Sequence, residues 1–367
     1  MLGYLILLLT FLLLFGVSFY FAFREWLRPQ DDAPIPVDVE YVRVENYFGD
    51  SFRAKMQLWL ETSRPVALGV PLQSPIQGVL EKSNGERILL LNPGRYGGGG
   101  EHQTLLCCDG NLELERGSVF AREIYARGDV ETGEGVQLQA LASDGDVALG
   151  PDTQVARWVD AAGSILLRRG TVAHARVSSQ TVIQLEAGAA AQSLYAPLVH
   201  TAGYRPVESY SAPAPRAEDS GTLTDAGEAA LANLPTPVAR LAADTVLVRG
   251  DLALQPGTRI ASHLIVRGTL RTGADCAFFG DVKAERLELG PGNAVSGNLV
   301  SGSALRLGTG CRVARAVVAE TDIVLSSGVR VGQPGALAVV SAGGEIRLEP
   351  DVAVWGKIAA GTKVTAV

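Results

Sequence analysis

The chain has 367 residues, 47% of them hydrophobic and only 6% aromatic, with 42 glycines and a formal net charge of −7. The glycines follow no collagen triplet, and the apolar content is too high for a disordered chain. No basic stripe exists to neutralise phosphates, which argues against nucleic acid as a partner.

Residues 2–23 carry no charge and are dominated by Leu and Phe. A helix of that length reaches ~33 Å, enough for a bilayer core. The sequence therefore predicts a single transmembrane anchor within residues 1–28. Leu2, Phe11, Leu14, Phe19 and Phe23 fall in its apolar span, with Tyr20 and Trp26 as interfacial aromatics. No Lys or Arg precedes the run, and no small-residue cleavage site ends it, as a secretory signal would require. Arg24 and Arg28 follow the span directly, so the positive-inside rule puts the bulk of the chain in the cytoplasm.

Residues 29–36 read as a Pro-containing tether, and residues 37–106 as a small β-rich region with strands expected at 39–44 and 56–60. The run from Gly97 to Gly100 reads as a loop; without a following Lys-Ser/Thr it is no Walker phosphate loop. Cys107, Cys108, Cys276 and Cys311 show neither metal spacing nor a disulfide framework, which fits a reduced compartment. The adjacent pair would point to opposite faces of a strand.

Two blocks of repeats follow, over residues 107–202 and 245–367. In the second, rungs open at Leu252, Leu270, Leu287, Leu305, Ile323 and Ile346, in steps of 18, 17, 18, 18 and 23. A second apolar residue recurs at +2 (Leu254, Leu289, Leu307, Leu325, Leu348), and Gly or Asp at +5 (Gly257, Asp275, Gly292, Gly310, Gly328, Asp351). Further apolar columns stand at +8 (Ile260 to Val354) and +12 (Leu264 to Ile358). The first block repeats the scheme from Leu112, Val130, Val147, Ile165 and Ile183, with Gly117, Gly135, Gly170 and Gly188 at +5. Apolar residues two apart share one face of a short strand, and Gly or Asp supplies a φ > 0 corner. Three faces make one coil of about 18 residues, so the pattern predicts an all-β, triangular parallel β-helix in which neighbouring rungs bury one another. Residues 203–244 break the pattern and read as a linker, with a short helix over 224–234 capped by Thr224.

The rungs from Leu287 to Leu299 and from Leu305 to Val313, which read L-x-L-x-x-G-x-x-V, resemble the bactofilins, polymer-forming cytoskeletal proteins of bacteria. The resemblance covers residues 246–364 well and 112–196 more loosely. It implies a right-handed β-helix that self-assembles end to end without nucleotide, binds membrane and scaffolds envelope or morphogenesis proteins. With the anchor, it implies a single-pass protein of the bacterial inner membrane. The sequence ends just after a rung, and an uncapped rung is a template for another chain. Ile346, Leu348, Val354, Trp355, Ile358 and Val364 are therefore the candidate assembly residues.

No catalytic, cofactor or metal set can be named. His102, His174, His200 and His263 are the only histidines; of these, His263 is placed outward, where a hexapeptide-repeat acyltransferase would use a base. Two function classes remain: a self-associating scaffold, and an enzyme or binder that uses the outer solenoid face on a glycan or acyl substrate.

Overall fold

The computed structural model describes residues 4, 6–8, 10, 11, 19, 20, 47–67, 74–98, 100–206, 238–242 and 244–367. Asp38–Val367 forms one compact unit and Met1–Val37 another. Among the described residues no helix is long and apolar enough to cross a membrane, which corrects the expected transmembrane helix. The one continuous described helix, Tyr47–Thr62, has 16 residues and is amphipathic, whereas a span needs ~20 apolar ones. Of the residues assigned to the anchor, Phe11 and Phe19 are helical and exposed; Leu2, Leu14, Phe23, Arg24 and Arg28 lie outside the described residues.

The described strands of Asp38–Val367 form a parallel β-solenoid of ~14 turns. Each turn presents three strand-forming faces, and some strands continue from one face to the next, as Val119–Ala126 and Ala353–Ala366 do. Face A holds the rung openings, face B the +8 column and face C the +12 column. In block 2 face A stacks Leu252, Leu270, Leu287, Leu305, Ile323, Ile346 and Val364 in register. Face B stacks Ile260, Phe278, Val295, Val313, Val331 and Val354. These side chains are all buried and form one core with their block 1 counterparts. The insertion after Gln333 leaves the stack intact, because Val340 returns to face C between Val317 and Ile358.

The corners explain the +5 column. Gly117, Gly135, Gly170, Gly257, Gly292, Gly310 and Gly328 all have φ between 67° and 75°. Asp275 and Asp351 adopt the same conformation, and Asp152 fills the one rung of block 1 that lacks a glycine (φ 56°). Short Asp side chains tolerate this region better than other L residues. A second set of corners is laddered by side chains. Asn111 Oδ1 accepts the Asp129 amide, Asp129 the Asp146 amide and Asp146 the Ser164 amide, at 3.0, 2.8 and 2.6 Å.

The solenoid starts earlier than the repeats indicate. Gly94–Tyr96 pairs in parallel with Leu112–Leu114, and Arg87–Leu91 with Leu105–Cys108, so one more rung precedes Leu112. The glycine run forms that rung's corner, with the Gly98 amide donating to Ser118 Oγ (3.2 Å). Residues 56–60 are helical, not a strand. Phe52 and Met56 share the buried side of Tyr47–Thr62 with Trp59 and Leu60, a 3.6-residue spacing that a five-residue window hides. The expected strand at 39–44 and the expected helix at 224–234 lie outside the described residues. At the far end of block 2, Val238–Ala242 pairs antiparallel with Thr245–Val248, so part of the expected linker is a strand.

Candidate functional site

The last rung of block 2, expected to be free, is covered. Strand Ala353–Ala366 stacks on its own preceding rung along one edge and pairs antiparallel with Ala190–Thr201 along the other. Ile358 faces Leu194, Val354 faces Val199, and Val364 faces Ala191, all of them buried. Ile346 and Leu348 lie one rung further in, beneath Val364 and Ala366. Trp355 is buried, with Tyr204 edge-on to its ring at 6.5 Å. These six residues thus build an internal junction and do not form an open end. The physical reason is that both blocks arrive with the same kind of terminus. Two C-terminal rungs pair by an approximate two-fold rotation: face C on face C, and face A of each on face B of the other.

The corners obey the same rotation. The Gly188 amide donates to the Ala366 carbonyl and the Asp351 amide to the Ala202 carbonyl, both at 2.8 Å. Thr201 Oγ1 donates to the Glu349 carbonyl (2.8 Å) and accepts the Val352 amide (3.0 Å). Arg330, only 7% exposed, fixes one side of the junction. Its guanidinium donates to the Asp351 carboxylate at 2.7 Å and to the Asp351 carbonyl, and lies 5.2 Å from the Tyr204 ring centre.

Helix Tyr47–Thr62 docks on the outer side of face C in block 1. Phe52 packs edge-on against Trp158 at 5.3 Å, beside Met56, Tyr125, Ala140 and Ala142. Arg53 reaches through this contact. Nε donates to Asp144 Oδ1 (2.9 Å), Nη2 to the Ser143 carbonyl (2.6 Å) and Nη1 to the Asp160 carboxylate. Asp160 is buried and also accepts from Ser178, while Tyr125 donates to Asp144 at 2.6 Å. Burial pushes the Asp160 carboxyl above the usual carboxylate range, against the pull of Arg53. Gly49 allows the approach, since a Cβ there would fall on the Asp160 side chain. This cluster was not legible in the sequence, because its members come from a helix partly read as strand and from four successive rungs.

The other polar side chains singled out earlier have structural places. His263 Nδ1 accepts the Asp281 amide (3.0 Å), one step of a corner ladder that continues from Asp281 to Asn298 and from Asn298 to Ala316. His102 stacks on Phe120 at 4.8 Å beside Tyr96, closing the first rung, and burial lowers its pKa. His174 is exposed, and His200 lies against Tyr204 at 4.9 Å. The four cysteines are free and buried. Cys108 and Cys311 point into the solenoid core, whereas Cys107 lies under the helix. Burial pushes the Cys107 thiol to about 12, and those of Cys108 and Cys311 to about 11. Among the described residues no group of three His, Cys, Asp or Glu side chains could hold a metal ion.

Comparisons with protein-family models, with curated proteins and with solved structures give no match, so the likeness to bactofilins rests on the rung residues themselves.

Proposed function

We propose that the chain is a structural scaffold of the bactofilin kind, without enzymatic activity, that self-associates through the two outer ends of its joined solenoid. What supports this reading is the state of those ends. Among the described residues, the first strands of faces A and B in each block pair along one edge only. They are Gly94–Tyr96 and Glu101–His102 in block 1, and Leu252–Leu254 and Arg259–Ile260 in block 2. On face C the end strand of block 1 pairs antiparallel with Ile76–Glu81, which pairs in turn with Arg64–Pro65, and that of block 2 with Val238–Ala242. At each end two of the three faces offer backbone groups to a further strand. With the C-terminal rungs already paired with each other, growth proceeds through these two ends.

The test is the state of association of the full-length chain over a concentration series, by sedimentation velocity and electron microscopy. Rods that lengthen with concentration by whole molecules are expected. A chain that stays monomeric throughout, or that associates side by side, overturns the reading.

A further inference from the structure

We propose that the outer side of face A in block 2 binds an acidic polysaccharide in which charged and uncharged sugars alternate. In-register stacking places Ala253, Arg271, Glu288, Arg306, Val324 and Arg347 one above the other along this face. Arginines therefore recur at every second rung, a spacing of ~9.6 Å from two rungs of ~4.8 Å. Arg286 stands in the neighbouring column beside Thr269. Between them lies a shallow trough of ≈ 510 Å³, whose charged lining is Arg271, Arg286, Arg306, Glu288 and Asp322, beside the small residues Gly290 and Ala304.

Three guanidinium groups face two carboxylates, Glu288 and Asp322, in this trough. Glu288 accepts from Arg271 Nε at 2.8 Å and lies 3.9 Å from Arg286, so one carboxylate serves two guanidinium groups. Arg306 is exposed and has no ion-pair partner among the described residues. Although the whole chain is acidic, residues 245–367 carry 13 Lys and Arg against 10 Asp and Glu. The corresponding outer column of block 1 reads Arg95, Glu113, Glu131, Ala148, Leu166 and Gln184, so the basic ladder belongs to one block alone.

Guanidinium groups are planar forks that hold carboxylates through two parallel hydrogen bonds. A pyranose unit in an extended polysaccharide advances by about the spacing of one rung. A chain with an acid on alternate sugars therefore presents carboxylates in step with Arg271, Arg306 and Arg347. An acidic β-strand does not fit, since its same-side residues recur every ~6.8 Å. Single-stranded nucleic acid gains affinity by stacking bases on aromatic rings, and this trough has none. Gly290 and Ala304, beside the column, leave the sugar rings room to lie flat. The site involves neither solenoid end, so it stands or falls separately from end-to-end association.

The experiment is calorimetric titration of the full-length chain at low salt with a hyaluronan decasaccharide, in which glucuronate alternates with N-acetylglucosamine. The comparators are a polygalacturonate of equal length, acidic at every sugar, and an oligo-dT strand. Hyaluronan is expected to bind most tightly, with affinity falling as salt is raised. Arg306→Glu is expected to weaken it by about tenfold or more, a change of about 1.4 kcal/mol or more, with an unchanged circular dichroism spectrum. Arg116→Glu in block 1 is expected to leave it unchanged. Failure of hyaluronan to bind, equal binding by either comparator, or indifference to Arg306→Glu in a folded chain overturns the proposal.

Discussion

Leu194 and Ile358 face each other across the junction, each fully buried, on antiparallel strands that close two parallel solenoids against one another. Within a block every rung meets its neighbour in parallel. This pair marks the place where the polarity of the stack reverses. The reversal uses up two terminal edges that would otherwise be templates for aggregation. It also makes the stability of each block depend on the other, because neither C-terminal rung can bury its own core.

Leu194→Ala removes the centre of that contact and is expected to cost about 2–5 kcal/mol, read by urea denaturation. Ile358→Lys is expected to cost more, since it places a charge opposite Leu194 with no partner. A chain with Ile358→Lys that unfolds at the same urea concentration as the parent would mean that the two rungs do not pair.

The rungs were legible because an 18-residue phase repeats, while the junction was not. Its inward-facing pairs are Leu, Ile, Val and Ala, the same types that stack inside a block, and antiparallel backbone pairing leaves no mark on them. The first rung was hidden for a different reason: Gly94 stands at its opening and His102 at its +8 position, where later rungs carry aliphatic or aromatic side chains. Asp152 obeys the same Gly-or-Asp rule at the +5 corner as Asp275 and Asp351 of block 2. The Arg53 cluster depends on a helix whose spacing needs two full turns to be seen, so no short window reveals it.

Gly170 and Gly310 occupy equivalent corners, at φ 74° and 70°, but only Gly170 lies over an aspartate. A Cβ at Gly170 would fall on the Asp152 carboxylate, while one at Gly310 meets open space. Each Gly→Ala change carries the left-handed penalty of about 1–2 kcal/mol. Thermal denaturation is expected to show a larger loss for Gly170→Ala than for Gly310→Ala. Adding Asp152→Gly should remove the difference. Equal losses, or no recovery in the double variant, would show that the aspartate corner does not constrain the rung above it.

The thiols are expected to be silent in the folded chain. With Cys107 near 12 and Cys108 and Cys311 near 11, almost no thiolate exists at pH 8, and all four cysteines are buried. A disulfide-exchange reagent such as Ellman's should label none of them natively and all four in denaturant. Rapid native labelling of Cys107 would mean that the helix lifts from face C.

Arg53→Met tests how that helix is held. Asp160 would keep its burial and lose its counter-charge, and breaking a buried ion pair costs about 3–5 kcal/mol at neutral pH. The loss should depend on pH in a fixed direction. Desolvation already raises the Asp160 carboxyl above its ordinary 3.8, with Arg53 and Ser178 pulling it down and Asp50 pushing it up. A carboxyl raised by folding binds its proton more tightly in the folded state. Its contribution is therefore fully present below the unfolded value and is lost as pH rises through the folded one. Removing Arg53 raises the folded value further, so the cost of Arg53→Met is expected to shrink as pH falls toward the raised value. There a protonated Asp160 can stay buried with Ser178 as its partner. Urea denaturation at stepped pH measures this, with Asp160→Asn as the control. In Arg53→Met/Asp160→Asn most of that pH dependence should vanish, leaving what Asp50 and Asp144 contribute. A cost that stays constant with pH, or that grows as pH falls, would remove Asp160 as the group that Arg53 neutralises.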